Sequence, residues 1–137
     1  MKKEFSTHWK SSKQPRKQRK YRAKAPLHIK RKLLNVGLSK ELRKKEQKRT
    51  IVIRKGDKVK ITKGKYKGKT AKVEEVKINL GKIYLEGMQV KKQEGSKVNI
   101  PFRPANLQII ELNTDDKRRM KTKLKNSKTE QVKEEKK

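Results

Sequence analysis

The sequence predicts a mainly β protein, a small five-stranded barrel with basic, partly helical extensions at both ends. Short segments in the middle of the chain alternate apolar and polar residues, which is typical of strands with one buried face. Turns that contain glycine or asparagine separate these segments at close intervals. Five short strands within residues 51–112 favour a strongly bent barrel over an open sheet.

Charge and apolar content divide the 137 residues into three parts. Residues 1–50 carry 19 basic and 3 acidic side chains, residues 51–112 carry 15 and 6, and residues 113–137 carry 10 and 5. Apolar residues are densest in the middle part, which is therefore expected to be the folded domain. With 29% hydrophobic and 42% charged residues, the chain cannot bury enough apolar surface along its whole length to offset its ordering entropy, so part of it is expected to be disordered alone or ordered by a partner.

A β-hairpin over residues 58–73 is the best-defined element of this domain. Residues 58–62 alternate polar and apolar side chains, and residues 70–73 return as the second strand. The connecting loop, residues 63–69, contains four lysines, two glycines and Tyr66. Four ammonium groups this close together repel one another, so the loop gains from binding an anion.

The remaining strands follow at short intervals. The second strand of the hairpin is expected to continue to residue 78, with a bulge near Glu74 and Glu75. Further strands are predicted over residues 83–91, 97–100 and 107–112. The predicted core consists of the inward-facing apolar side chains Val59, Ile61, Val73, Val76, Ile83, Leu85, Val98, Ile100, Leu107 and Ile109.

Both extensions are predicted to be partly helical. Residues 11–22 form a basic run without apolar periodicity, which is expected to be extended and mobile in the free protein. Residues 25–34 favour a short helix with Pro26 in its first turn, and Ser39 is placed to cap a second helix over residues 40–48. After the domain, residues 117–125 favour a short basic helix, followed by a disordered tail.

A net charge of +30 indicates a polyanionic partner, and nucleic acid fits best. An anionic membrane surface is the rival. No apolar run approaches the length of a membrane span or of a signal-peptide core, which favours the cytoplasm. Cysteine is absent, so disulfides, thiol chemistry and cysteine-ligated zinc are excluded.

The lysine-rich loop comes close to the phosphate loop of nucleotide hydrolases without matching it. Three residues separate Gly64 from Gly68, whereas that motif has four. The motif also feeds a helix whose N-terminus holds the phosphates. Thr70 is β-branched and leads into a predicted strand, so nucleotide hydrolysis is not expected.

Other polar residues form no catalytic pattern. Glu74 and Glu75 are adjacent and would point to opposite faces of a strand, so they cannot act as an acid/base pair. Asp57 lies in a turn and is expected to be a solvated polar residue. His8 and His28 are the only histidines, too few for a metal site. The chain is therefore expected to be neither an enzyme nor a cofactor-binding or metal-binding protein.

The predicted nucleic-acid site combines the loop with basic residues of the N-terminal extension. Glycines allow the loop backbone to approach a phosphate closely, and a tyrosine ring offers a flat face for a base or ribose. The candidate residues are Lys63, Gly64, Lys65, Tyr66, Lys67, Gly68 and Lys69 in the loop, Arg16, Lys17 and Arg19 in the basic run, and His28 as a phosphate or ribose contact.

The central hairpin resembles a KOW motif, the strand–loop–strand unit of several ribosomal proteins and transcription elongation factors. Its flanks narrow the resemblance. The sequence blocks at residues 12–13, 16–17, 25–32, 38–43 and 104–107 closely resemble the archaeal and eukaryotic branch of one family. That family is the universal large-subunit ribosomal protein numbered twenty-four, or twenty-six in eukaryotic naming. The similarity covers roughly residues 11–120.

This resemblance implies an SH3-like barrel that binds large-subunit rRNA near its 5′ region, beside neighbouring large-subunit proteins. It also implies an early role in subunit assembly and a position at the mouth of the peptide exit tunnel. Residues 26–32 become an rRNA-docking arm, which adds Lys30, Arg31 and Lys32 to the candidate residues. The family usually has glycine where Ala71 stands, so alanine is either strained there or loosens one RNA contact.

The alternative is a transcription- or chromatin-associated nucleic-acid-binding protein with the same KOW motif. An elongation factor of this type carries a separate domain before the motif, which residues 1–50 cannot supply. A small chromatin protein with an SH3-like barrel would suit the net charge, but it has little use for long basic arms at both ends.

Overall fold

The computed structural model describes residues 5, 6, 8, 12–116 and 119, and within them the protein is mainly β. The predicted C-terminal helix and tail lie outside the described residues, apart from Arg119. The strands are β1 Asn35–Leu38, β2 Thr50–Val52, β3 Lys58–Ile61, β4 Thr70–Lys77, β5 Lys82–Leu85, β6 Gln89–Lys91, β7 Lys97–Asn99 and β8 Leu107–Glu111. The helices are α1 Pro15–Lys24, α2 Leu27–Lys32, α3 Lys40–Glu46 and a single 3₁₀ turn at Pro104–Asn106.

Six of these strands form one mixed sheet in the order β2-β1-β8-β3-β4-β5, and β6 and β7 form a separate hairpin. β1 runs parallel to β8, whereas the other neighbouring strands are antiparallel. The strands described by the structure do not close into a barrel. The mainly β class is therefore confirmed, and the closed five-stranded barrel stays a prediction.

The central hairpin forms as the sequence predicts, through β3 and β4. Lys58 pairs with Lys72 and Lys60 with Thr70, and the strand pairing of β4 shifts between Val73 and Glu75. The shift confirms the expected bulge, which bends β4 so that its first half pairs with β3 and its second half with β5. The lysines of β3 are exposed and its two apolar residues are buried, as the alternation requires.

The buried core is formed mainly by inward-facing residues of the sheet strands. Seven of the predicted core residues are buried, namely Val59, Ile61, Val73, Ile83, Leu85, Leu107 and Ile109. Val76 and Ile100 are half-buried and pack against the core. The prediction for Val98 is wrong, because its side chain is 43% exposed on the separate β6–β7 hairpin.

The core also contains residues from the segment predicted to be an extension. Leu34, Val36 and Leu38 are almost fully buried, and Met88 and Phe102 complete the opposite side. Leu34, Val36 and Leu38 lie on or next to β1, which pairs with both β2 and β8. The folded unit thus begins before residue 51, while the division of the chain into three parts stays a prediction.

The basic run after residue 11 is a helix, contrary to the expectation of an extended segment. α1 begins at Pro15, which suits a first helical position, and continues through arginine, lysine, glutamine and alanine, all good helix formers. None of its residues is buried, although the Tyr21 ring lies 4.9 Å from the Phe5 ring. The helix therefore follows from local propensity, which the absence of apolar periodicity had hidden.

The two other predicted helices are present but shorter than expected. α2 follows Pro26, and its last turn is basic. The Ser39 hydroxyl accepts a hydrogen bond of 3.3 Å from the backbone N–H of Leu42, so its predicted capping role in α3 is confirmed. α3 ends at Glu46, and the next residue, Gln47, adopts a left-handed backbone with φ of 48° that ends the helix.

A buried ion pair links the start of β3 to the segment after β8. Asp57 has no exposed surface, and its carboxylate accepts two hydrogen bonds from the Arg119 guanidinium, at 2.6 and 2.7 Å. The carboxylate also accepts the backbone N–H groups of Arg54 at 2.8 Å and Asn113 at 2.9 Å. The Arg119 side chain, 5% exposed, donates further to the backbone carbonyls of Val52 and Asn113.

The expectation that Asp57 is a solvated turn residue is therefore wrong. Its backbone neighbour Gly56 adopts φ of +87°, and a Cβ added there would lie 2.6 Å from the Asn113 side chain. The turn consequently needs glycine for its conformation, and a larger residue would also displace the Asn113 side chain. A buried carboxylate is tolerated here because every hydrogen bond is charge-assisted or made to backbone.

We expect Asp57→Asn to lower the free energy of unfolding by about 3–5 kcal/mol, because it leaves the Arg119 guanidinium buried without a counter-charge. Asp116→Asn is the matched control. It removes the ion pair of Arg54 with Asp116, whose side chains are 33% and 43% exposed, and should cost about 0–1 kcal/mol. Urea unfolding followed by circular dichroism measures both. Equal effects of the two substitutions would contradict the role assigned to Asp57.

Candidate nucleic-acid interface

The loop between β3 and β4 is shaped by its two glycines. Gly64 has φ of +97° and Gly68 has φ of +88°, in the left-handed region that side chains disfavour. A Cβ added to either would meet no atom within 4 Å. Backbone conformation, and not crowding, therefore requires glycine at these positions, and the space beside them is open for an approaching ligand.

Backbone hydrogen bonds hold the loop in one closed turn. The N–H of Gly68 donates to the carbonyl of Ile61 at 2.8 Å, and the N–H of Ile61 donates to the carbonyl of Lys69 at 2.9 Å. At its base, the N–H and hydroxyl of Thr62 both donate to the carbonyl of Asn106, at 2.8 and 3.0 Å. The loop is thus fixed to the sheet and to the 3₁₀ turn, so its shape is set before a ligand binds.

Tyr66 is the one half-buried side chain of the loop, and it rests on the core. Its ring meets the Phe102 ring edge-on, with centroids 6.3 Å apart and an interplanar angle of 76°. The ammonium group of Lys69 lies 5.6 Å from the centre of the same ring, in range of a cation–π interaction. The Phe102 ring and the Lys69 ammonium group therefore hold the Tyr66 ring in place.

The loop lysines Lys63, Lys65, Lys67 and Lys69 are all exposed. Among the ion pairs between described residues, none joins these lysines to a carboxylate. Their charge is consequently not neutralised by that part of the chain. A hydrogen-bonded turn that presents four exposed ammonium groups, one of them beside the Tyr66 ring, together with open backbone can bind phosphate oxygens at little cost in ordering.

The candidate residues of the N-terminal extension lie on two short helices. Arg16, Lys17 and Arg19 are exposed on α1. On α2, His28, Arg31 and Lys32 are exposed and Lys30 is half-buried. The extension thus presents a second basic surface, separate along the chain from the loop.

Two alternatives for the loop and its surroundings can be judged from the geometry. Thr70 begins β4, so the loop leads into a strand and lacks the helix N-terminus of a hydrolase phosphate loop. Within the described part of the chain, no three His, Asp or Glu side chains are grouped to hold a metal ion. No helix in that part is long and apolar enough to span a bilayer.

Ala71 is not strained. It lies in extended β4 opposite Val59, and Gln47 is the one non-glycine residue with positive φ in the part of the chain that the structure describes. Alanine therefore fits this strand position without a backbone penalty.

Together, a mainly β domain, a net charge of +30 and a loop of exposed lysines are typical of a basic nucleic-acid-binding class of protein. The sequence model of the family of ribosomal proteins known as L26 in eukaryotes, with its archaeal counterpart numbered twenty-four, matches residues 12–126. The chain belongs to this family. It is a ribosomal protein of the large subunit, and the resemblance seen in the sequence is confirmed.

We expect Tyr66→Ala to weaken binding to deproteinised large-subunit rRNA by about 1–3 kcal/mol if the ring stacks on a base, whereas Tyr66→Phe keeps most of the affinity. Tyr84→Ala is the matched control, because Tyr84 is also half-buried with a lysine ammonium group 5.0 Å from its ring, that of Lys77. Filter binding gives the affinities and thermal unfolding gives the loss of packing. Equal losses of affinity for the two alanine variants would show that Tyr66 acts through packing alone.

Proposed function

We propose that this protein is a structural constituent of the large ribosomal subunit that binds rRNA through the β3–β4 loop and its basic extensions. The proposal includes an early role in subunit assembly, a position near the peptide exit tunnel and contacts with neighbouring large-subunit proteins in the cytoplasm. The observation that carries it is the rigid loop with four exposed lysines that no described carboxylate neutralises.

The loop suits rRNA because both its lysine side chains and its backbone N–H groups can bind phosphate. Each lysine that neutralises a phosphate releases condensed counterions, which favours binding at low salt. The open space at Gly64 and Gly68 lets backbone N–H groups approach phosphate oxygens as well. Tyr66, held against Phe102, adds a flat ring that can accept a base or ribose.

The N-terminal helices suit the same partner. α1 has no buried residue, and a helix of 10 residues is marginal in water without tertiary packing. Phosphate groups along its basic side would neutralise Arg16, Lys17 and Arg19 and so stabilise it. In the proposed arm, His28, Lys30, Arg31 and Lys32 continue this contact on α2.

We also propose that the sheet curls towards an SH3-like barrel. The chain would then have three parts, namely this barrel and a basic extension on each side of it. Two features support the curl. β4 bends at its bulge, and a further antiparallel bridge joins Ile83 to Phe102 beyond β5.

We expect replacement of Lys63, Lys65, Lys67 and Lys69 by glutamine to lower the slope of log affinity against log salt by roughly 3 units, at about 0.7–0.9 per lost contact. The matched control replaces Lys82, Lys91, Lys92 and Lys97, which changes the net charge by the same amount away from the loop. Titrations of deproteinised large-subunit rRNA at several salt concentrations give the slopes. An unchanged slope in the loop variant would rule out the loop as a phosphate-binding site.

We expect the native protein to sediment with the large ribosomal subunit in sucrose gradients at low and at high salt, because the loop and the N-terminal helices are proposed to contact rRNA at once, and the protein leaves only when all of these contacts are lost together. Proteins that are loosely attached to ribosomes in the same lysate serve as the internal comparison, because high salt removes them from the ribosome. Sedimentation with DNA or RNA polymerase, away from ribosomes, would instead support the transcription- or chromatin-associated alternative.

A further inference from the structure

We propose that the outward face of β3 and of the first half of β4 is a second phosphate-binding surface, continuous with the loop. This strand face consists of Lys58, Lys60, Thr70 and Lys72. The proposal rests on the proposed function, because it assigns further residues to the same RNA partner. None of the four was a candidate in the sequence.

The pairing of the strands brings these side chains together. Lys58 lies directly opposite Lys72, and Lys60 lies directly opposite Thr70. All four are exposed, whereas the alternate residues Val59 and Ile61 are buried, so the four share the solvent side of the sheet. Facing residues on neighbouring strands are about 4.5–5.5 Å apart at Cβ, and their diagonal neighbours remain within reach of long side chains.

The charges on this face are only partly compensated. Directly opposed lysines on neighbouring strands destabilise a sheet. Glu111 on β8 lies opposite Lys58 and pairs with it, with 2.8 Å between the ammonium and carboxylate groups. Among the ion pairs of the described residues, none involves Lys60 or Lys72. These two lysines are therefore the ones available to an external anion.

A cleft of about 450 Å³ lies against the same face. Thr70 and Lys72 line it on the β4 side, and Glu111 and Asp115 line it on the β8 side. Lys58 also lines the cleft and pairs with Glu111, so Lys72 is its cation without a carboxylate partner among the described ion pairs, and Asp115 adds negative charge on the β8 side. The surface thus has a defined edge towards β8.

The strand face also has a defined end along the chain. Residues 58–72 contain seven lysines and no acidic residue, and Glu74 and Glu75 follow directly. Both glutamates are exposed at the bulge, where the pairing of β4 shifts. An RNA backbone that follows the lysines from the loop therefore meets negative charge at the bulge. We infer that the RNA crosses β3 and β4 on the loop side of the bulge and leaves the sheet there.

The first experiment measures salt dependence with the double variant Lys60→Gln, Lys72→Gln on deproteinised large-subunit rRNA. Loss of two phosphate contacts should lower the slope of log affinity against log salt by about 1.5 units. Wild-type affinity should then fall about 8-fold more than that of the variant between 50 and 200 mM salt. The matched control is Lys91→Gln, Lys97→Gln, a directly opposed exposed lysine pair on the β6–β7 hairpin.

A slope that falls in the strand-face variant and stays within half a unit of wild type in the control supports the proposal. An unchanged slope in the strand-face variant overturns it, and so do equal decreases in both variants, because these would report net charge alone. If the loop variant lowers the slope while the strand-face variant does not, this inference fails and the proposed function stands. If neither lowers the slope, the proposed function fails as well.

The second experiment locates the RNA directly and uses the absence of cysteine in the chain. Single substitutions Lys65→Cys in the loop, Thr70→Cys on the strand face and Ser96→Cys in the β6–β7 turn carry a tethered iron chelate that cleaves nearby RNA. We expect cleavage from Thr70→Cys at nucleotides overlapping or adjoining those cut from Lys65→Cys, and a different pattern or none from Ser96→Cys. Cleavage from Lys65→Cys with none from Thr70→Cys would overturn the proposal.

Discussion

The buried pair of Asp57 and Arg119 is the constraint on which the sheet depends. One carboxylate joins three places in the chain: the turn before β3 through the Arg54 N–H, the end of β8 through the Asn113 N–H, and the segment beyond it through Arg119. Arg119 in turn reaches the Val52 carbonyl on the edge strand β2. In a chain with so few apolar residues, this buried polar cluster defines the register that a small core specifies weakly, although the Arg119 Nε within it has no hydrogen-bond partner among the described residues.

That constraint matters for function because β3 carries one side of the loop. Asp57 directly precedes β3, and its hydrogen bonds fix the position at which the strand begins. The alternation of β3 then turns Val59 and Ile61 inward and its lysines outward. The same strand therefore supplies the core with its apolar residues and the proposed RNA-binding surface with its charge. Neighbouring residues of β3 point to opposite faces of the sheet. A shift of the strand by one residue would therefore turn its lysines inward and its apolar residues outward, and both stability and binding would be lost.

The sequence predicted what local signals encode. The hairpin, the bulge and the Ser39 cap follow from alternation, parity and spacing over a few residues, and the glycines of the loop follow from the turn they make. α1 was not predicted, because its residues favour a helix by propensity alone and form no apolar face that hydrophobic periodicity could reveal. The strand β1 was missed because four residues with a glycine among them give too short a pattern.

The other features that the sequence did not predict depend on contacts between residues far apart in the chain. The partner of Asp57 lies 62 residues away, and no local pattern pairs an aspartate in a turn with one arginine among many basic residues. The exposure of Val98 likewise depends on β6 and β7 leaving the main sheet, which alternation within each strand cannot reveal. The strand face was overlooked for a related reason, since its lysines become neighbours only through the pairing of β3 with β4.

The parallel pairing of β1 with β8 sets the order in which the chain can fold. The Gln108 side chain reaches the Leu38 carbonyl across 70 residues of sequence, so this contact closes a loop that spans most of the domain. Contacts of such separation form slowly, whereas a hairpin between neighbouring strands forms within microseconds. The β3–β4 loop can thus take shape early, while the sheet is completed only after β8 has been synthesised. Until then β1 can pair with β2, its neighbour in sequence, but lacks β8, its neighbour on the other side.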